Sequence, residues 1–161
     1  MDFIKHLPES EGYTDILVIV DRLTKQAIFV PTHSTIDVAG LIQLFIQHVF
    51  VKHRVPSHVT SDRGAEFVSK FFRLLAQALN IKLHFSVGYY PKADSQIEYT
   101  NQTLEQYLQT YCNYQQSDWS KLLPLAEFTY NNTPSSTTGM SSFFTNKGYH
   151  SNVMICLGQA F

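Results

Sequence analysis

The chain has 161 residues, 44% hydrophobic and 16% charged, which fits one folded domain with a single substantial core and excludes a disordered chain. A formal net charge of −1 and a pI near 6.6 disfavour a strongly electrostatic nucleic-acid binder, unless phosphate is met through metal ions or basic partner domains. No apolar run nears a membrane span, no secretory leader opens the sequence, and Cys112 and Cys156 form no CxxC pair, which fits a reducing compartment without a disulfide or zinc framework.

Residues 1–7 are apolar and β-prone with Asp2 near their start, so the chain opens almost inside a strand, as expected of an excised domain. Residues 8–12 are a turn cluster, residues 16–20 a buried type of strand, and residues 21–25 a hairpin connection. Residues 27–30 give a third strand ending before Pro31, which completes an antiparallel meander. Ser34 or Thr35 is expected to cap a helix reaching Phe50, with Val38, Leu41, Ile42, Phe45 and Val49 on its apolar face. A fourth strand follows Val55-Pro56 and ends at Asp62, where Gly64 allows a sharp exit into a helix carrying Phe67, Phe71, Leu74, Leu75 and Ala78. Asn80 suits the end of that helix, and residues 81–85 alternate as a fifth strand.

Residues 86–95 form a loop containing Gly88, Tyr89, Tyr90 and Pro91. From Gln96 the pattern is helical, with Ile97, Asn101, Leu104, Leu108 and Tyr111 on one stripe. Asp118 caps a further helix with Trp119 in its core, and Pro124 is expected to kink or divide that helix. Residues 133–142 read as a Ser/Thr/Gly loop, and the tail shows no clear pattern.

This order predicts an α/β fold of the RNase H-like kind. It has a mixed five-stranded sheet, a three-strand antiparallel meander plus two parallel strands, with helices on both faces. Residues 1–150 would form the core and residues 151–161 the start of a C-terminal linker. Asp62 alone fits an ordinary turn or N-cap residue. In this topology, however, Asp2 on the first strand, Asp62 at the end of the adjacent fourth and Glu98 at the start of the following helix converge. Three carboxylates without basic partners repel one another unless a cation neutralises them, and hard oxygen ligands suit Mg²⁺ or Mn²⁺. Two such ions roughly 3.5–4 Å apart support in-line phosphoryl displacement. The histidines make no HExxH or HxH arrangement, which disfavours a zinc hydrolase.

Residues 63–97 give a 35-residue gap between Asp62 and Glu98. With the Tyr90-Pro91-Lys92-Ala93-Asp94-Ser95-Gln96-Ile97-Glu98 run, the chain resembles the DD(35)E catalytic core of retroviral and retrotransposon integrases, most closely the Ty3/gypsy-type elements. The resemblance extends over Met1-Asp2-Phe3-Ile4, residues 16–25, Ser61-Asp62-Arg63-Gly64, Asn101, Asp118-Trp119, residues 123–128, Tyr130-Asn131-Asn132 and Ser136 to Ser141. It implies that Asp2, Asp62 and Glu98 ligate two Mg²⁺ or Mn²⁺ ions and that the 86–95 loop lies against DNA. Water, then a 3′-hydroxyl, would attack phosphorus without a covalent enzyme intermediate. It also implies retroelement DNA ends and target DNA as partners, a homo-oligomer, a nuclear place of action, and zinc-binding and basic C-terminal modules elsewhere in a Pol polyprotein.

Arg63 and Lys92 are the candidates for phosphate, Tyr90 for base stacking, Gln102 for contacts along the Glu98 helix, and Asn101 for bracing the active-site loop or contacting the nucleic-acid backbone. Glu105 on that face would repel phosphate and reads as solvated surface. Asp21 reads as a turn-capping residue, with Asp2 the first metal ligand. Tyr90, Lys92, Ala93, Ser95, Ile97, Tyr99 and Thr100 stand where the family usually has His, Gln, Thr, Gly, Thr, Arg and Val. The rival reading is therefore an inactive or repurposed core serving as a nucleic-acid-binding or dimerisation module.

Overall fold

Three short, largely apolar strands set the architecture of the computed structural model, which describes residues 1–53, 55–56, 58–61, 64–80, 94–136 and 138–149. Strands β1 (Asp2–Ile4), β2 (Asp15–Val20) and β3 (Ala27–Thr32) pair antiparallel in that order, with Asp2 opposite Val18 and Val20 opposite Ala27. Because successive strand residues point to opposite faces, the sheet builds a separate core on each side. Leu17, Ile28 and Val30 pack against helices α1 (Val38–Phe45) and α2 (Gly64–Leu79). Ile4, Ile16, Val18 and Phe29 pack against α3 (Asp94–Tyr111) and α4 (Trp119–Asn132). The result is an α/β/α sandwich, and burial on both faces explains why β2 is apolar almost throughout.

The meander matches expectation, but β3 runs on through Pro31 to Thr32. Proline, which has no N–H to donate, is tolerated here because β3 is an edge strand of this sheet. Residues 58–61, expected as the end of a fourth strand, carry no strand assignment; the Met1 amino nitrogen nevertheless donates to the Thr60 carbonyl at 2.6 Å, so this segment runs beside the start of β1. The expected fifth strand, residues 81–85, and the 86–93 part of the loop lie outside the described residues, as do Arg54, Ser57, Thr137 and residues 150–161.

Asp37 caps α1, its carboxylate accepting from the Gly40 N–H at 2.7 Å, so the expected Ser34 or Thr35 cap is corrected by two or three residues. Residues Ile46–Phe50 continue α1 as a π-helical turn, a wider coil found often at functional sites. Gly64 adopts φ 85 at the start of α2 and Asn80 φ 51 just past its end, both left-handed values. Pro124 neither ends nor divides α4, which is one helix from Trp119 to Asn132. The Trp119 indole donates to the Pro8 carbonyl at 2.7 Å, tying α4 to the β1–β2 turn. A short helix α5 (Ser142–Lys147), capped by the Ser141 hydroxyl and ended by Gly148 at φ 77, follows where sequence reading left only loop and tail.

Candidate active site

Antiparallel pairing fixes where the first carboxylate falls. Asp2 opens β1 opposite Val18, at the end of the sheet where β2 runs out and β3 begins. Its Oδ1 accepts from the Phe3 N–H and its Oδ2 from the Asn101 side-chain amide, each at 2.8 Å. Asn101 lies on α3 one helical turn beyond Glu98, so this bond ties the helix carrying Glu98 to the strand carrying Asp2. Glu98 itself is exposed. Both carboxylates line a cleft of about 2050 Å³ that also exposes Asp21, Lys25, Lys52, His53, Ser61 and Tyr99. Asp62, Arg63, Tyr90 and Lys92 lie outside the described residues. Gln102 is on the surface of α3.

Asp21 occupies the same cleft with a different task. Its carboxylate accepts from the Thr24 hydroxyl at 2.6 Å, the Thr24 N–H at 3.1 Å and the Leu23 N–H at 3.4 Å, closing the β2–β3 turn as expected. Burial pushes this carboxyl up, but the Thr24 and Leu23 hydrogen bonds and the nearby His53 outweigh it and hold Asp21 below the usual range. Burial, together with Lys147 and Lys52, pushes the His53 imidazole down against the opposing pull of Asp21.

The donor set at Asp2 fits a hard divalent cation. Among the described residues neither Asp2 nor Glu98 is paired with a lysine, arginine or histidine. Each Asp2 oxygen keeps a free lone pair after its one hydrogen bond, and the buried Asn101 Oδ1 has no partner. No group of three His, Cys, Asp or Glu side chains forms a metal-holding cluster among the described residues, a set that excludes Asp62.

Sequence reading passed over several residues that shape this end of the molecule. Lys25 donates to the Gln96 side-chain oxygen at 2.9 Å, linking the β2–β3 turn to α3. The Asn131 amide clamps both the N–H and the C=O of Ala27 at 2.8 Å, and Glu127 accepts from the Phe29 N–H at 2.9 Å, so α4 closes the outer edge of β3. The Tyr130 and Thr100 hydroxyls meet at 2.9 Å, joining α3 to α4. Only the i, i+4 spacing of Glu127 and Asn131 hinted at a shared face; the partners, about a hundred residues away, left no local signal.

Residues 1–91 match the family described as integrase core domain. The Tf2-3 and Tf2-4 transposon polyproteins of Schizosaccharomyces pombe are each 36% identical to this chain over 143 residues, covering 89% of the chain and 11% of the polyprotein. The chain thus spans only a small part of the relatives it matches. Among solved structures, the HTLV-2 integrase catalytic core domain, in complex with magnesium in a trimeric form, aligns with TM-score 0.60 at 18% identity over 88% of this chain and 91% of that one. The catalytic core domain of BIV integrase aligns with TM-score 0.60 at 16% identity, covering 89% and 90%. At these identities the two structures speak for the RNase H-like fold.

Proposed function

The chain belongs to the integrase core domain family, and from that premise we propose that it is a metal-dependent polynucleotidyl transferase core that processes retroelement DNA ends and joins them to target DNA. The observation that carries the reading is the 2.8 Å bond from Asn101 to Asp2, which ties the Glu98 helix to the Asp2 strand at the rim of one cleft. Asp2, Asp62 and Glu98 are the proposed ligands of two Mg²⁺ or Mn²⁺ ions. Ions held there would activate an attacking water or 3′-hydroxyl and stabilise charge on the leaving oxygen.

The protein's own contribution is positional. Asn101 holds the Asp2 carboxylate in one orientation, with the Phe3 N–H fixing its other oxygen. Asp21, spent on its turn, stays out of the ligand set. Arg63 and Lys92 are the proposed phosphate contacts, with Tyr90 and Gln102 flanking the strand. The DNA partners, assembly as a homo-oligomer and action in the nucleus belong to the same proposal. The trimeric form of the HTLV-2 core and the simian T-cell lymphotropic virus intasome, matched with TM-score 0.64 at 17% identity over 99% of this chain and 57% of that one, support assembly by analogy.

Calorimetric titration with Mn²⁺ tests the metal site. The wild type should give saturable heat, and Asp62→Asn should lose most of it. Identical negligible heats from both would remove the metal-site reading. A disintegration assay on branched DNA tests the chemistry, since cutting without joining would point to a simple nuclease instead.

A further inference from the structure

Tyr99 follows Glu98 directly, yet its ring is 62% exposed and lines the cleft, while Thr100 and Leu104 on the neighbouring stripe are buried. Among the described residues its phenol makes no hydrogen bond. An aromatic face left bare beside the proposed reaction centre offers a stacking surface that any nucleobase can use.

The β2–β3 turn supplies a cation to the same cleft. The Lys25 ammonium spends one of its three donors on the Gln96 oxygen. Lysine cannot accept, so that contact fixes the amide orientation and leaves the Gln96 Nε2 pointing away, buried and without a partner. Lys25 also sits at φ 65, a left-handed backbone value that glycine adopts more easily. A phosphate oxygen in the cleft would meet the ammonium donors of Lys25 that Gln96 does not use.

We propose that the wall of the cleft made by α3 and the β2–β3 turn is a seat for an unpaired nucleic-acid strand, one base stacking on Tyr99 and a neighbouring phosphate held by Lys25, which Gln96 holds in place. The proposal rests on the cleft being a nucleic-acid site, as argued above. An unpaired strand is chosen over a duplex because bases inside a duplex do not offer their faces for stacking.

The test is fluorescence anisotropy with a short labelled single-stranded oligonucleotide in EDTA, so that metal contributes nothing. Tyr99→Ala should weaken binding roughly 5- to 150-fold, the range of one base–aromatic stack, while Tyr99→Phe stays within about twofold. Lys25→Met should weaken binding and lower the salt slope by about 0.7, the loss of one phosphate contact on a single strand. Thermal unfolding of each variant separates a folding defect from lost contacts; an unchanged slope in a folded Lys25→Met, or unchanged affinity in Tyr99→Ala, overturns the seat. So does a wild type that fails to bind the strand. A blunt duplex equally sensitive to Tyr99→Ala would replace stacking with groove contact and also overturn it. Mn²⁺ heats measured without oligonucleotide report on the metal-site reading independently.

Discussion

Replacing Asn131 by alanine removes a clamp whose energy the structure allows to be worked out. Asn131 is 2% exposed, and its amide satisfies both the N–H and the C=O of Ala27, itself fully buried in β3. Alanine at this site leaves the buried N–H and C=O of Ala27 without their side-chain partner. Each such group costs about 1–3 kcal/mol, so the variant should lose about 2–6 kcal/mol. That is a large share of the roughly 5–15 kcal/mol typical of a domain. Urea unfolding followed by circular dichroism should show a lower midpoint with an unchanged slope. Asn132→Ala, next in sequence but outside the clamp, serves as control and should stay within about 0.5 kcal/mol of wild type. A loss below about 0.5 kcal/mol for Asn131→Ala would refute the claim that α4 side chains complete the edge of β3.

Further outcomes follow from the same geometry. Asp2→Asn should abolish most of the Mn²⁺ heat, whereas Asp21→Asn should leave it intact and lower only the thermal midpoint, because Asp21 is engaged in its turn. Asn101→Ala should weaken Mn²⁺ binding about 10–100-fold in the same titration, as loss of a group that orients a ligand does. Burial holds the Glu127 carboxyl above its ordinary value of 4.5 despite the Phe29 N–H and Lys52. The folded state therefore takes up this proton first; the resulting stability is fully present below about 4.5 and is lost as pH rises through the folded value. Glu127→Gln stays neutral, so urea midpoints measured across pH should fall less above 4.5 than in wild type.

The elements that depend on local pattern were readable from the sequence. β2, α2 and α4 announce themselves by apolar period, and Asp21 by its place between two strands. The misses have physical causes. Pro31 was taken as a strand end because its tolerance depends on lying at a sheet edge, which is a property of topology. Pro124 was expected to kink or divide its helix; it does not divide it, and Trp119, Leu123 and Ala126 pack into one core cluster on both sides of it. Tyr111 was counted on the apolar stripe of α3 but is exposed against Tyr107, since the buried stripe runs from Leu104 and Leu108 on to Cys112. At the site, the partner of Asn101 was not legible, because its bond to Asp2, 99 residues away, leaves no local signal in the sequence.

The central claim is that Asp2, Asp62 and Glu98 share metal ions. A crystal of this chain soaked in Mn²⁺ and measured at the manganese edge tests it directly. The account predicts anomalous peaks within coordination distance of oxygens from all three carboxylates, with Asp21 still on Thr24. Peaks at Asp21, or carboxylates of Asp2 and Glu98 that share no peak at saturating Mn²⁺, would contradict it.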